Sequence, residues 1–109
     1  MRSLMLVAPL LALALTACAP PAASTGAYRD AVEAPGLFDP QLLHRVEAAG
    51  HRVCADLYDG ETSLDDLRVG YIRDGIGGDL YTTAGVHVVT TEATRHLCPT
   101  IGSRSDPRA

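Results

Sequence analysis

The sequence predicts an all-α fold, a small bundle of three main helices with or without a short fourth at its start, stapled by one disulfide. Three observations carry this. Leu43, Val46, Gly50, Val53 and Leu57 recur every three or four residues, the period of one helix face. Val86, Val89, Ala93 and Leu97 repeat that spacing late in the chain. Asp39-Pro40 and Thr62-Ser63 are helix-opening signals ahead of apolar periodic runs, with Cys54 and Cys98 available to join the halves.

Taken in order, the chain begins with an export signal. Arg2 supplies a positive start, and Leu4 to Leu15 form an apolar block interrupted only by Pro9. The block falls short of the roughly 20 residues that span a bilayer, and Ala19-Pro20-Pro21-Ala22-Ala23 ends it. Residues 1–17 are therefore expected to direct export and be removed. Leu15-Thr16-Ala17-Cys18 resembles the bacterial lipobox, in which a diacylglycerol is attached to the cysteine thiol before cleavage, so the resemblance makes Cys18 the acylated first residue of the mature protein. The alternative is ordinary secretion, since Ala17-Cys18-Ala19 also fits a small-residue cleavage site; Pro20 directly after that bond argues against it. The expected location is the outer face of the bacterial cell membrane, with a secreted soluble form as the alternative.

Residues 18–27 read as a flexible tether of Ala, Pro, Ser, Thr and Gly, residues 28–99 as the helical domain and residues 100–109 as a disordered tail. Within the domain, Tyr28 and Val32 share the face of a short leading helix that ends at Ala34-Pro35-Gly36. Asp39 can cap, and Pro40 can open, the long central helix. Gly50 on its buried face costs about 1 kcal/mol relative to alanine, which points to close approach of another helix there. Gly60 is placed to end that helix in the left-handed conformation. Ser63 caps the next helix, with Asp66 in the capping-box position and Leu64, Leu67 and Tyr71 as its buried face. Asp74 to Asp79 is a glycine-rich loop.

From Leu80 to Leu97 propensity and period disagree. Thr82, Thr83, Val86, Val88, Val89, Thr90 and Thr91 are β-branched, which favours a strand. The spacing of Val86, Val89, Ala93 and Leu97 favours a helix, and a lone strand would have no partner to pair with. Helix is the reading adopted, closed by Cys98-Pro99.

The frame Gly50-His51-Arg52-Val53-Cys54-Ala55-Asp56-Leu57, then Gly60, then Leu97-Cys98-Pro99, resembles domain-of-unknown-function family 732, small exported actinobacterial proteins common in mycobacteria. The resemblance covers roughly residues 28–99. It implies a compact helical domain with its two cysteines bonded and no established catalytic residues. The chain departs from the family pattern in its Thr-rich, Gly85-containing last segment and at Leu97, where an aromatic is usual.

Composition excludes several functions. Nine Arg and Lys stand against 13 Asp and Glu, a net charge of −4 over the whole chain, so no basic stripe for nucleic acid is present. No lysine occurs, which rules out a phosphate-loop or Schiff-base lysine. Once Cys18 goes to lipid, Cys54 and Cys98 remain as a pair in an oxidising compartment, where a disulfide is expected. His51, Cys54, His96 and Cys98 could in principle form a zinc shell, but their spacing matches no common zinc pattern and a disulfide removes both thiolates. His44 and His51 share a helix face without a third ligand. Asp56, Asp59, Glu61, Asp65 and Asp66 crowd one helix junction without the ligand order of a calcium loop. No serine sits in a nucleophile elbow.

No catalytic, cofactor-binding or metal-binding residue is therefore expected, and no cofactor. Besides the membrane, reached through the lipid, the expected partner is an envelope or extracellular protein. Such a binder predicts an exposed apolar patch. The alternative is a small carrier of an apolar molecule, which predicts a dry cavity walled by Leu43, Val46, Leu67 and Val89.

Overall fold

The computed structural model describes residues 23–60 and 62–101. Among them the regular structure is helical: α1 is Thr25–Glu33, α2 is Leu43–Asp59, α3 is Leu64–Asp74 and α4 is Thr83–His96. The helices run alternately up and down. The Ser24 N–H at the start of α1 donates to the His96 carbonyl at the end of α4 (2.7 Å), while Phe38, beyond the end of α1, lies against Gly85 in the first turn of α4. The last helix touches all three others. Cys18 and the segments 1–17 and 102–109 lie outside the described residues.

Local chemistry sets each start. Ser24, Ser63 and Thr82 accept from the backbone N–H groups of Ala27, Asp66 and Gly85, each satisfying a donor that a helix N-terminus leaves free. Asp39 accepts from Gln41 N–H (2.9 Å), but the turn it opens, Pro40–Leu42, is a 3-10 turn that leads into α2. α1 begins at Thr25, so it takes up residues that composition assigned to the tether; the Ser24 cap makes helix available to them. The leading helix is therefore a full element of the bundle.

The apolar stripes meet as their periods require. Tyr28, Val32, Val46, Val53, Val86, Val89 and Ala93 are fully or almost fully buried, with Leu57, Tyr71 and Ile76 beside them. At Gly50 the close approach is made by a side chain: an added Cβ would lie 2.5 Å from Tyr28 Cζ and 2.9 Å from Leu97 Cδ1. That seat lets the buried Tyr28 hydroxyl donate to the Val46 carbonyl at 2.6 Å.

Helix is the structure from Thr83 to His96, in spite of its threonines. Thr90 and Thr94 direct their hydroxyls to carbonyls one turn back, at 2.8 Å to Val86 and 3.0 Å to Thr90, so β-branched side chains are accommodated without an unsatisfied oxygen. Arg68 of α3 donates to the hydroxyls of Thr90 (2.8 Å) and Thr91 (3.0 Å) and clips α3 to α4.

Two expectations are corrected, at Gly60 and at the start of the tail. Gly60 is extended, at φ −106° and ψ 155°, because its N–H closes α2 by donating to the Asp56 carbonyl without a left-handed turn; glycine still matters there, since a Cβ would come within 2.9 Å of the Asp56 carbonyl. The glycine-rich loop is a turn, as expected, with Gly77 and Gly78 at positive φ and Ile76 paired to Asp79, and it folds Ile76 into the core. The tail does not begin at residue 100, because Ile101 is buried.

Candidate functional site

Cys54, on the middle of α2, is bonded to Cys98, two residues past α4, across a Cα separation of 5.9 Å. The half-buried bridge joins the two helices at the same end as His96. With both sulfurs committed to each other, His51 and His96 have no thiolates beside them. His44 and His51 are exposed on α2, whereas His96 pairs along α4 with Glu92 at 3.2 Å. Among the described residues no group of three or more His, Cys, Asp and Glu is placed to hold a metal ion.

The carboxylates at the α2–α3 junction are drawn into separate interactions. Asp56 accepts from the Tyr71 hydroxyl (2.6 Å) and pairs with Arg52 (3.2 Å), and Asp65 pairs with Arg68 (3.3 Å). Asp66 lies in the first turn of α3, where the helix dipole favours an anion. Glu61 lies outside the described residues.

The feature that sequence patterning did not locate is a cleft at the opposite end of the bundle. It has a volume of about 290 Å³ and lies between the segment joining α1 to α2 and the segment leading into α4, lined among others by Leu37, Phe38, Leu42, Val46, Leu80 and Tyr81. Phe38 meets Tyr81 edge to face at a ring separation of 6.0 Å. Gly85 makes room for that pair, since a Cβ there would lie 3.3 Å from Phe38 Cε1. Around the cleft, Leu37, Leu42 and Leu80 remain 47%, 44% and 79% exposed. Leucines left in water at one opening are an unfavourable surface unless something covers them, at about 25 cal/mol per Å² of apolar area.

The polar groups beside the cleft are already engaged. Asp39 and Thr82 serve as helix caps, and Arg45 lies 3.6 Å from Asp79 in an exposed pair that contributes little by itself. Burial, reinforced by Asp79, raises the Tyr81 phenol above its ordinary value. The arrangement suits the holding of an apolar group by contact. Of the carrier wall expected from sequence, only Val46 reaches this cleft; Val89 is in the packed core and Leu43 and Leu67 pack against it. No periodic stripe includes Leu37, Phe38, Leu80 or Tyr81, and the one signal for them in the sequence is apolar residues placed just before helix starts.

The model of one family, described as "Protein of unknown function (DUF732)", matches residues 23–100. No curated protein and no solved structure matches.

Proposed function

The chain belongs to the family of unknown function DUF732, and from that premise we propose that it is a non-enzymatic lipoprotein of the cell envelope whose domain holds an apolar segment of another envelope or extracellular protein. The convergence of Leu37, Leu42 and Leu80 on one cleft carries this reading. A cleft of about 290 Å³ sits at the bottom of the range for small-molecule sites, and its exposed leucines favour a partner that covers the opening as well as filling it. Capped and paired polar groups leave it an apolar contact surface, which supports binding over catalysis.

Residues 1–17 act as the export signal in this proposal, Cys18 carries the lipid, and residues 19–23 join it to the bundle. The lipobox resemblance supports the anchor, and a disulfide between Cys54 and Cys98 suits an oxidising compartment outside the cytosol. Two or three acyl chains give lasting attachment where one would be marginal.

The experiment is affinity capture from solubilised envelope with the wild-type chain beside Leu42→Asp and Leu80→Asp. Retention of a protein by the wild type and its loss in both variants is the expected result. Release of a small apolar molecule into organic solvent, with no captured protein depending on those leucines, would replace the binder with the carrier.

A further inference from the structure

The two ends of the bundle differ in a way that fixes how it would stand on a membrane. α1 starts at Ser24, which is hydrogen-bonded to His96 at the end of α4. Tyr58, Leu97, Pro99 and Ile101 surround a second, shallow depression at this same end, beside Ala23. The leucine-rimmed cleft lies at the other end, next to Thr82 at the start of α4. The 14 residues of α4 separate the two ends by roughly 21 Å at 1.5 Å per residue.

From these positions we infer that the bundle rests on the bilayer surface by the end carrying Ser24, Tyr58 and Pro99, and holds its cleft outward. This rests on the lipid attachment of Cys18 proposed above. Five residues lie between Cys18 and Ser24, and whatever their conformation the six Cα-to-Cα steps reach no more than about 20 Å. Turning the cleft toward the bilayer would lift Ser24 by roughly the length of α4 and use the whole of that reach, a stretched chain with the entropy loss that entails. With the Ser24 end down, no such extension is required. Tyr58, 71% exposed on the last turn of α2, is the amphipathic kind of side chain that suits a headgroup layer. Asp59 stands beside it, and Arg95 and His96 close α4 at the same end, so charge of both signs is present there and zwitterionic lipid is the surface that this end fits. A partner then meets the cleft from the side away from the bilayer.

The chain contains no tryptophan, so a single introduced indole reports its own height. Variants Tyr58→Trp, Val69→Trp and Leu80→Trp, all at exposed positions, are expressed from the whole chain in a bacterium that processes lipoproteins, and the protein obtained is reconstituted into phosphatidylcholine vesicles containing a dansyl-headgroup lipid. Circular dichroism establishes that each variant keeps its helix content. Energy transfer should be greatest from position 58, intermediate from position 69 on the middle of α3, and least from position 80. The contrast between the extremes should be at least about two-fold for a height difference of roughly 20 Å. Equal transfer from all three in vesicle-bound protein would mean that the bundle lies on its side, and the reverse order that the cleft faces the lipid; either overturns the inference. Protein that does not float with the vesicles refutes the lipid attachment beneath it, a failure distinct from the other two.

Discussion

Replacing glycine by alanine at two helical positions should change stability in opposite directions. Alanine is favoured over glycine in a helix interior by about 1 kcal/mol. Gly70, on α3, has no atom within 4 Å of an added Cβ, so Gly70→Ala should stabilise by about 0.5–1 kcal/mol. At Gly50 the added carbon would fall 2.5 Å from Tyr28 Cζ, 2.6 Å from its hydroxyl and 2.9 Å from Leu97 Cδ1. Overpacking of that kind costs about 1–3 kcal/mol. Displacing Tyr28 also strains its hydrogen bond to the Val46 carbonyl, worth about 1 kcal/mol. After the propensity gain, Gly50→Ala should destabilise by about 1–3 kcal/mol, which for a domain of this size lowers the melting temperature by roughly 4–20 °C. Urea unfolding followed by circular dichroism, with the disulfide intact, measures both variants. A neutral or stabilising Gly50→Ala would refute the packing of α1 across α2.

Other perturbations test the remaining parts. Cys54→Ala combined with Cys98→Ala reopens a loop spanning 44 positions and should remove about 4 kcal/mol, a large share of the roughly 5–15 kcal/mol typical of a domain; a loss below about 1 kcal/mol in the unfolding free energy from urea titration would contradict it. Burial holds the Tyr28 phenol above its ordinary 10.0, and burial with the Asp56 hydrogen bond does the same for Tyr71. Their contribution is thus complete below pH 10 and is lost as pH rises above it, so fixed-urea titration should show alkaline unfolding, and stability unchanged to pH 12 would contradict this. Arg29 holds the Glu47 carboxyl below its ordinary 4.5, a contribution present above that pH and lost as pH falls through the lowered value. Leu80→Asp should leave stability within about 0.5 kcal/mol while abolishing capture of the partner, and unchanged capture would remove the cleft from the proposal.

The sequence was readable where one local signal and one periodic signal agreed. Ahead of α2, Asp39 opens the 3-10 turn that leads into the helix, and of the Leu43-to-Leu57 stripe all but the half-buried Leu43 lie on the buried face. On α4, period outweighed the propensity of its threonines because their hydroxyls find carbonyls inside the helix. Legibility failed where a residue's fate depends on distant partners. Ile76 sits among glycines that read as loop, yet the turn closed by Asp79 carries it into the core. Ile101 resembles the start of a polar tail until it is placed near the bridge. The cleft was invisible for the same reason: Leu37, Phe38, Leu80 and Tyr81 precede helix starts in two distant segments, and only the antiparallel packing of α1 on α4 brings them together.

Intact mass spectrometry of the native protein, extracted from membranes without reductant, tests the anchored and stapled domain most directly. The prediction is a chain beginning at Cys18 with its acyl chains attached and a mass about two daltons below that of the fully reduced form, one disulfide linking Cys54 to Cys98. A chain that retains residues 1–17, bears no lipid and reacts with a thiol reagent at all three cysteines would contradict the account.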